Sequence, residues 1–216
     1  MGPLEIFLIF FVFQLFLIPI VIFVMVRKMR TRDGEPKMSR RDEALAKLSE
    51  MLAVPLVGGE SRYPNQKWLS WIREPFRLEG EYQGRKLKVY HYTVSTGKSS
   101  TQYCAANINV RNPEKGNFSI SEEGALSKMG KSLGMRDAET GNAKFDEIFY
   151  LRGDDQAFFR VGLIPSMQEK LIALHRLKGS TGRFSLNKGT LTYTELGEIR
   201  DEARIERFRE AVPILV

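Results

Sequence analysis

Residues 76–110, which read FRLEGEYQGRKLKVYHYTVSTGKSSTQYCAANINV, decide the fold of the larger part of the chain. Polar and apolar side chains alternate along three runs, residues 76–82, 86–94 and 102–110. Gln83-Gly84 and the STGKSS segment supply the turns between these runs. The pattern predicts three strands of an antiparallel meander.

Alternation assigns the side chains of these strands to two faces of a sheet. In the second run Lys88, Tyr90 and Tyr92 fall on one face, and the apolar side chains fall on the other. His91 shares the apolar face of its run, and Cys104 lies on the apolar face of the third run. The two residues can therefore lie on the same face of neighbouring strands.

Three segments outside the meander are predicted to be helices. Ser39 is an N-cap for a helix over residues 39–54, and Pro165 opens a helix over residues 165–177. A charged helix follows over residues 198–212, with Asp201–Arg204 and Glu206–Arg209 as ion pairs on its solvent face. Pro213 is expected to stop this helix and to leave the apolar tail ILV.

The remaining predicted elements complete the fold class. Residues 118–121 and 145–153 are predicted strands, residues 125–133 a short helix, and Lys188-Gly189 the turn of a late hairpin. The sequence thus predicts an α+β protein: one N-terminal transmembrane helix, followed by a soluble, largely antiparallel β-meander domain with packed helices.

The transmembrane helix is predicted for residues 4–26, LEIFLIFFVFQLFLIPIVIFVMV. At about 1.5 Å per residue this segment spans roughly 34 Å, enough to cross a hydrocarbon core of about 30 Å. A cleaved signal peptide fits poorly, because no basic region precedes the apolar run and no small-residue cleavage site follows it. The chain is therefore divided into an anchor (1–26), a basic juxtamembrane linker (27–38) and an α+β domain (39–216).

Basic residues directly after the apolar run predict the orientation of the anchor. Basic flanks stay on the cytoplasmic side, so the N-terminus faces out and the domain lies in the cytoplasm at the cell (inner) membrane. The same side chains can contact anionic lipid headgroups, at about 1 kcal/mol for each basic residue. These are Arg27, Lys28, Arg30 and Arg32.

Two further features bear on membrane partners. Gln14 lies near mid-membrane, where a helix of another membrane protein or subunit could satisfy its amide, although a single span also tolerates one glutamine. Trp68 and Trp71 suit either contact with the bilayer surface or packing in the core. The chain also carries a formal net charge of +7, but no nucleic-acid-binding module is recognisable.

The sequence contains no convincing catalytic, metal-binding or cofactor-binding set. Thr96-Gly97-Lys98-Ser99 resembles the end of a phosphate-binding loop, but Tyr92 stands where that motif needs glycine. His91 and Cys104 could form a nucleophile pair, although a buried structural cysteine is commoner. Four carboxylates are the other candidates for acid–base chemistry: Asp146, Glu147, Asp154 and Asp155.

Two blocks carry a resemblance to a known group of proteins. They are GEYQGRKLKVYHYTVSTGKSS (80–100) and GMRDAETGNAKFDEIFYLRGDD (134–155), which follow an apolar anchor and precede a proline-led helix. Over residues 76–177 the chain resembles bacterial membrane-anchored proteins that share a domain of unknown function. Asn142 stands where that pattern has aspartate. The resemblance implies a bacterial membrane protein and implies no catalytic residue.

These observations lead to three hypotheses about function. The first is a non-enzymatic accessory subunit whose cytoplasmic domain is an interaction or scaffolding module. The second is a domain that senses an anionic lipid surface through the basic linker and the two tryptophans. The third is an enzyme that uses His91, Cys104 or the carboxylates of residues 146–155.

Overall fold

The computed structural model describes residues 38–66, 69, 72–112, 116–122, 136–177 and 182–216. The predicted anchor, almost all of the basic linker, both tryptophans and the predicted helix 125–133 lie outside these ranges. Within them, no helix is both long enough and apolar enough to cross a membrane. The fold described below is that of the compact unit Ser39–Val216.

The described residues form one sheet of nine strands. Along the sheet the strands are ordered β1-β2-β3-β4-β9-β8-β5-β7-β6, and neighbouring strands are antiparallel throughout. The strands are β1 Leu56–Val57, β2 Arg77–Tyr82, β3 Arg85–Ser95, β4 Ser100–Asn109, β5 Phe118–Glu122, β6 Arg136–Ala138, β7 Phe149–Gly153, β8 Arg183–Asn187 and β9 Thr190–Leu196.

Five helices accompany this sheet in the described ranges. They are α1 Arg40–Leu52, α2 Ala143–Asp146, α3 Gln156–Gly162, α4 Pro165–His175 and α5 Glu202–Leu215. The predicted α+β class and the largely antiparallel sheet are therefore confirmed. Ser39 caps α1 as predicted, within a capping box that it forms with Asp42.

The hairpin turns follow from local sequence. Gln83-Gly84 and Lys188-Gly189 all have positive φ, which is the backbone of the two-residue turn that suits the twist of adjacent strands. The predicted meander is confirmed for β2, β3 and β4. Beyond β4 the strands are not in sequence order, since β9 pairs with β4 and β5 lies between β7 and β8.

The helices pack on one face of the sheet. Tyr193 on β9 contacts Phe208 of α5, with 5.2 Å between ring centroids. The pairing register places Tyr193 in the same row as Ala106 on β4 and Phe184 on β8, so all three point to the same side. The apolar core fills this side. The opposite face carries no helix from the described part of the chain.

One predicted strand begins later than expected. Residues 145–153 were predicted as a strand, but the chain forms α2 first and enters β7 only at Phe149. The Asp146 carboxylate accepts hydrogen bonds from the Thr140 N–H at 2.9 Å, the Thr140 hydroxyl at 2.8 Å and the Gly141 N–H at 3.0 Å. These bonds fold the chain into a helical turn that buries Phe145.

The prediction that Pro213 ends the last helix is wrong. α5 continues through Pro213 to Leu215, and both Ile214 and Leu215 are buried in the core. A proline here costs one backbone hydrogen bond, which the packing of the last turn offsets. The apolar tail therefore belongs to the domain's own core.

One of the two ion pairs expected on α5 is also absent from the described structure. The Asp201 carboxylate accepts the backbone N–H of Arg204 at 2.8 Å as the N-cap, while the Arg204 side chain turns towards Glu195. The Glu206–Arg209 pair is confirmed.

Candidate interaction surface

A charged cluster is enclosed between β9 and α5. Glu195 is 0% exposed, and its carboxylate accepts hydrogen bonds from the Tyr193 hydroxyl at 2.5 Å and from the Arg207 Nε and Nη2 atoms at 2.8 Å each. Arg204 Nε donates a further bond at 3.1 Å. Burial and the neighbouring carboxylate raise the pKa of Tyr193 well above its ordinary value. These contacts give the cluster a structural role.

His91 and Cys104 lie beside this cluster. They are cross-strand partners, so their predicted common face is confirmed, and Glu195 is the next residue in the same row. Cys104 is fully buried, and burial raises the pKa of its thiol to about 12. Burial, together with the charge of Arg41, lowers the pKa of His91 to about 4, and its Nε2 accepts the Ile199 N–H at 2.9 Å.

This arrangement does not suit nucleophilic catalysis. Attack on a substrate needs an accessible thiolate, whereas the Cys104 thiol is protonated and enclosed. The basic nitrogen of His91 is already engaged by the backbone. Both side chains therefore serve the packing of β3, β4 and α5.

The candidate carboxylates also have structural partners. Asp146 shapes the turn before α2, as described above. The Asp154 carboxylate accepts the backbone and side-chain N–H groups of Asn117 at 2.9 Å each, and Asp155 caps α3 by accepting the Ala157 N–H at 2.8 Å. Glu147 is exposed. Asp154 and Asp155 thus stabilise the turn and the helix start that follow β7.

Two cavities on the helix side contain none of these candidate groups. The first, of about 250 Å³, has apolar walls that include Ile120, Leu171 and Phe184, and has no charged group to orient a ligand. The second, of about 270 Å³, is a groove between α4 and α5. In the described ranges, no three His, Cys, Asp or Glu side chains are grouped so as to hold a metal ion.

The helix-free face of the sheet carries a contiguous aromatic surface, which we call the tyrosine face. It consists of Tyr90, Tyr92 and Val94 on β3, Tyr103 on β4 and Leu196 on β9. The Tyr92 and Tyr103 rings stack with centroids 5.3 Å apart, and Tyr90 lies 5.8 Å from Tyr92. Val94 is 43% exposed and Leu196 37% exposed, although both are large apolar residues.

Cationic side chains border this face. The Lys88 ammonium lies over the Tyr90 ring, 5.6 Å from its centroid. On the far side Arg183 of β8 pairs with Thr194 of β9, two strands beyond Tyr103 on β4. The tyrosine face is therefore an aromatic and apolar patch between positive charges.

The edges of the sheet offer less surface for binding. The edge strands β1 and β6 have only two and three residues, and such short strands limit the addition of a further strand from another chain. The helix-free face therefore offers a larger surface for binding than either edge.

Part of the tyrosine face was predictable from the sequence. Alternation in β3 predicted that Tyr90 and Tyr92 share a face with Lys88. Tyr103 and Leu196 were missed as members, although alternation in their own strands would have assigned each to one face. The predicted lipid contacts Arg27, Lys28, Arg30 and Arg32 and the predicted helix-packing residue Gln14 lie outside the described residues and stay predictions.

Comparison with known proteins adds little to this geometry. Neither a protein-family model nor a curated protein matches the chain. A solved structure, the crystal structure of the mycobacterial trehalose monomycolate transport factor A, TtfA, aligns over 82% of this chain and 98% of that chain. The identity is 8% and the TM-score 0.43, and at this level the likeness carries no inference.

Proposed function

We propose that the chain is a membrane-anchored accessory protein whose cytoplasmic α+β domain binds another protein through the tyrosine face. Residues 4–26 hold the domain at the inner membrane in this proposal, and Gln14 offers a contact to a helix of the same partner. The proposal is supported above all by an exposed aromatic and apolar patch on a face that no described helix covers.

The composition of the patch suits protein recognition. Tyrosine and arginine are enriched among the residues that contribute most to protein–protein affinity, because they combine large contact areas with hydrogen bonds. The tyrosine rings are held by stacking before a partner arrives, so little side-chain entropy is lost on binding.

The border of the patch indicates the chemistry of the partner. Lys88 and Arg183 on opposite sides favour a partner surface with apolar side chains at its centre and acidic side chains around them. The buried cluster around Glu195 supports this surface from below, since it holds α5 against the strands that display it.

The test is purification of the full-length protein from its own membranes in a mild detergent, with quantitative mass spectrometry of the proteins that accompany it. Leu196→Asp places a charge within the proposed contact, where burial of an unpaired charge is costly. We expect the wild type to recover a partner in stoichiometric amount and Leu196→Asp to recover at least about tenfold less, a loss of about 1.4 kcal/mol.

Val161→Asp is the matched control. Val161 is 77% exposed on α3, which packs on the other face of the sheet, so the same substitution there leaves the tyrosine face intact. Recovery by Val161→Asp should equal that of the wild type, and circular dichroism should show both variants folded. A solitary wild-type chain, or equal losses in the two variants, would overturn the proposal.

A further inference from the structure

A second feature of the helix-free face is a polar depression of about 400 Å³ between β8, β9 and the start of β5. Its walls are rich in side chains that can donate hydrogen bonds: a guanidinium, three hydroxyls and two amides. These side chains belong to Arg183, Tyr92, Ser185, Thr194, Asn117 and Asn187.

Arg183 is the only cation among these wall residues, and the described residues leave it without a counter-ion. Its Nε atom is shielded from solvent and makes no hydrogen bond within the part of the chain that the structure describes. Ser121 faces Arg183 in the β5–β8 register, and its buried Oγ likewise has no partner among the described residues. Buried polar groups of this kind are costly unless something binds them.

The positive charge around the depression adds to the free-energy cost of these unpaired groups. Burial lowers the pKa of Arg183, and the charge of Arg152, on the strand beyond β5, lowers it further. The like charge of Arg152 adds to the positive potential at Arg183, which a bound anion would relieve.

We infer that this depression binds a phosphate group, with the Arg183 guanidinium as its principal contact. A guanidinium presents two parallel N–H groups that match two oxygens of a phosphate, and the hydroxyl of Ser185 can donate to a remaining oxygen. The depression is larger than a phosphate ion, so it also has room for the organic part of a phosphate ester. The inference does not rest on the tyrosine face binding a protein.

The phosphate group could belong to a soluble ester or to a lipid headgroup, and both present the same chemistry to Arg183. The test uses the full-length chain in maltoside micelles, which contain no phosphate. Inorganic phosphate, glycerol 3-phosphate and a short-chain phosphatidylglycerol are titrated separately by calorimetry, at constant ionic strength set with chloride. If the natural ligand is a soluble ester, glycerol 3-phosphate should bind most tightly. If it is a lipid headgroup, phosphatidylglycerol should bind most tightly.

Arg183→Gln should weaken the tightest of these interactions at least tenfold, and Arg183→Lys should weaken it less, because lysine keeps the charge but not the paired N–H groups. Lys188→Gln is the matched control, because it removes one positive charge from the exposed turn of the same hairpin. Thermal unfolding without ligand checks that each variant is folded.

Three results would overturn the inference. They are the absence of saturable binding of all three phosphate compounds to the wild type, binding to Arg183→Gln within twofold of wild type, and an equal loss in Lys188→Gln. Saturable binding of a phosphate compound by a wild-type chain that recovers no protein partner would support this site and overturn the proposed function, and recovery of a partner by a chain that binds none of the three compounds would do the reverse.

Discussion

Glu195 is a carboxylate without access to water, and such a group is stable only when its neighbours replace the hydration that it loses. Arg207, Arg204 and Tyr193 do so with four hydrogen bonds. Removal of one partner from a buried ion pair costs about 3 to 5 kcal/mol, because the remaining charge stays buried. The cluster therefore holds α5 in a defined position on β9, beneath the tyrosine face.

His91 gives the domain a pH-dependent stability. Its pKa is lowered to about 4 by burial and by Arg41, against the opposing effects of Glu198 and Asp42, while a histidine in the unfolded chain titrates near 6.5. Between these values the unfolded chain binds more protons than the folded one. The contribution is thus complete above about pH 6.5 and is lost as the pH falls towards 4, by up to about 3 kcal/mol.

The measurement is the free energy of unfolding of the full-length chain as a function of pH. We expect His91→Gln, whose amide oxygen can still accept the Ile199 N–H, to flatten the slope between pH 6.5 and 4. The control is Met51→Ala, because Met51 is 41% exposed on α1 and carries no titratable group, so this variant should keep the wild-type slope. An unchanged slope in His91→Gln would contradict the argument.

The alternation within single strands predicts several features of single residues. It correctly predicts that His91 and Cys104 share a face and that Tyr90 and Tyr92 share the other. It cannot predict that Glu195 lies next to Cys104 in the row of His91, or that Leu196 lies next to Tyr103 in the row of Tyr92. Both reach their positions on β9, which joins β4 only after the chain has crossed to the far edge of the sheet and returned.

At the scale of elements, the correct predictions rest on local signals. α1 begins at a capping box, and the two tight hairpins reverse direction at turns with positive φ. Both features are determined by residues that are neighbours in the sequence. The errors arise where distant contacts decide. α2 depends on side-chain bonds from Asp146, and α5 continues through Pro213 because its last turn packs on the core.

The end of α5 supplies a test of that explanation. Leu215 is 2% exposed in the core, so Leu215→Ala should lower the free energy of unfolding by about 2 to 5 kcal/mol through lost burial and a residual cavity. Met51→Ala on α1 is the control, because Met51 is 41% exposed, and its effect should stay within about 0.5 kcal/mol. The measurement is the free energy of unfolding of the full-length chain in maltoside, with unfolding monitored by circular dichroism.

An effect of Leu215→Ala as small as that of the control would mean that the apolar tail does not stabilise the domain. The tail would then be available to a partner. A large effect, by contrast, leaves the tyrosine face as the exposed apolar surface on which the proposed function depends.

For the whole molecule, the distribution of charge predicts how the chain lies in the membrane. Residues 1–26 contain one acidic residue and no basic residue, whereas basic residues follow immediately at positions 27 and 28. This asymmetry predicts an external N-terminus and a cytoplasmic domain. The proposed partner and the proposed phosphate ligand would then both be found on the cytoplasmic side.

The single cysteine makes this orientation measurable. Cys104 is fully buried with a thiol pKa of about 12, so a membrane-impermeant maleimide should not label the wild type. Lys98→Cys introduces a thiol at the exposed tip of the β3–β4 hairpin, and Gly2→Cys introduces one before the anchor. In spheroplasts we expect labelling of Gly2→Cys alone, and labelling of Lys98→Cys only after the membrane is permeabilised. Labelling of Lys98→Cys in intact spheroplasts would place the domain outside, where a cytoplasmic partner could not reach the tyrosine face.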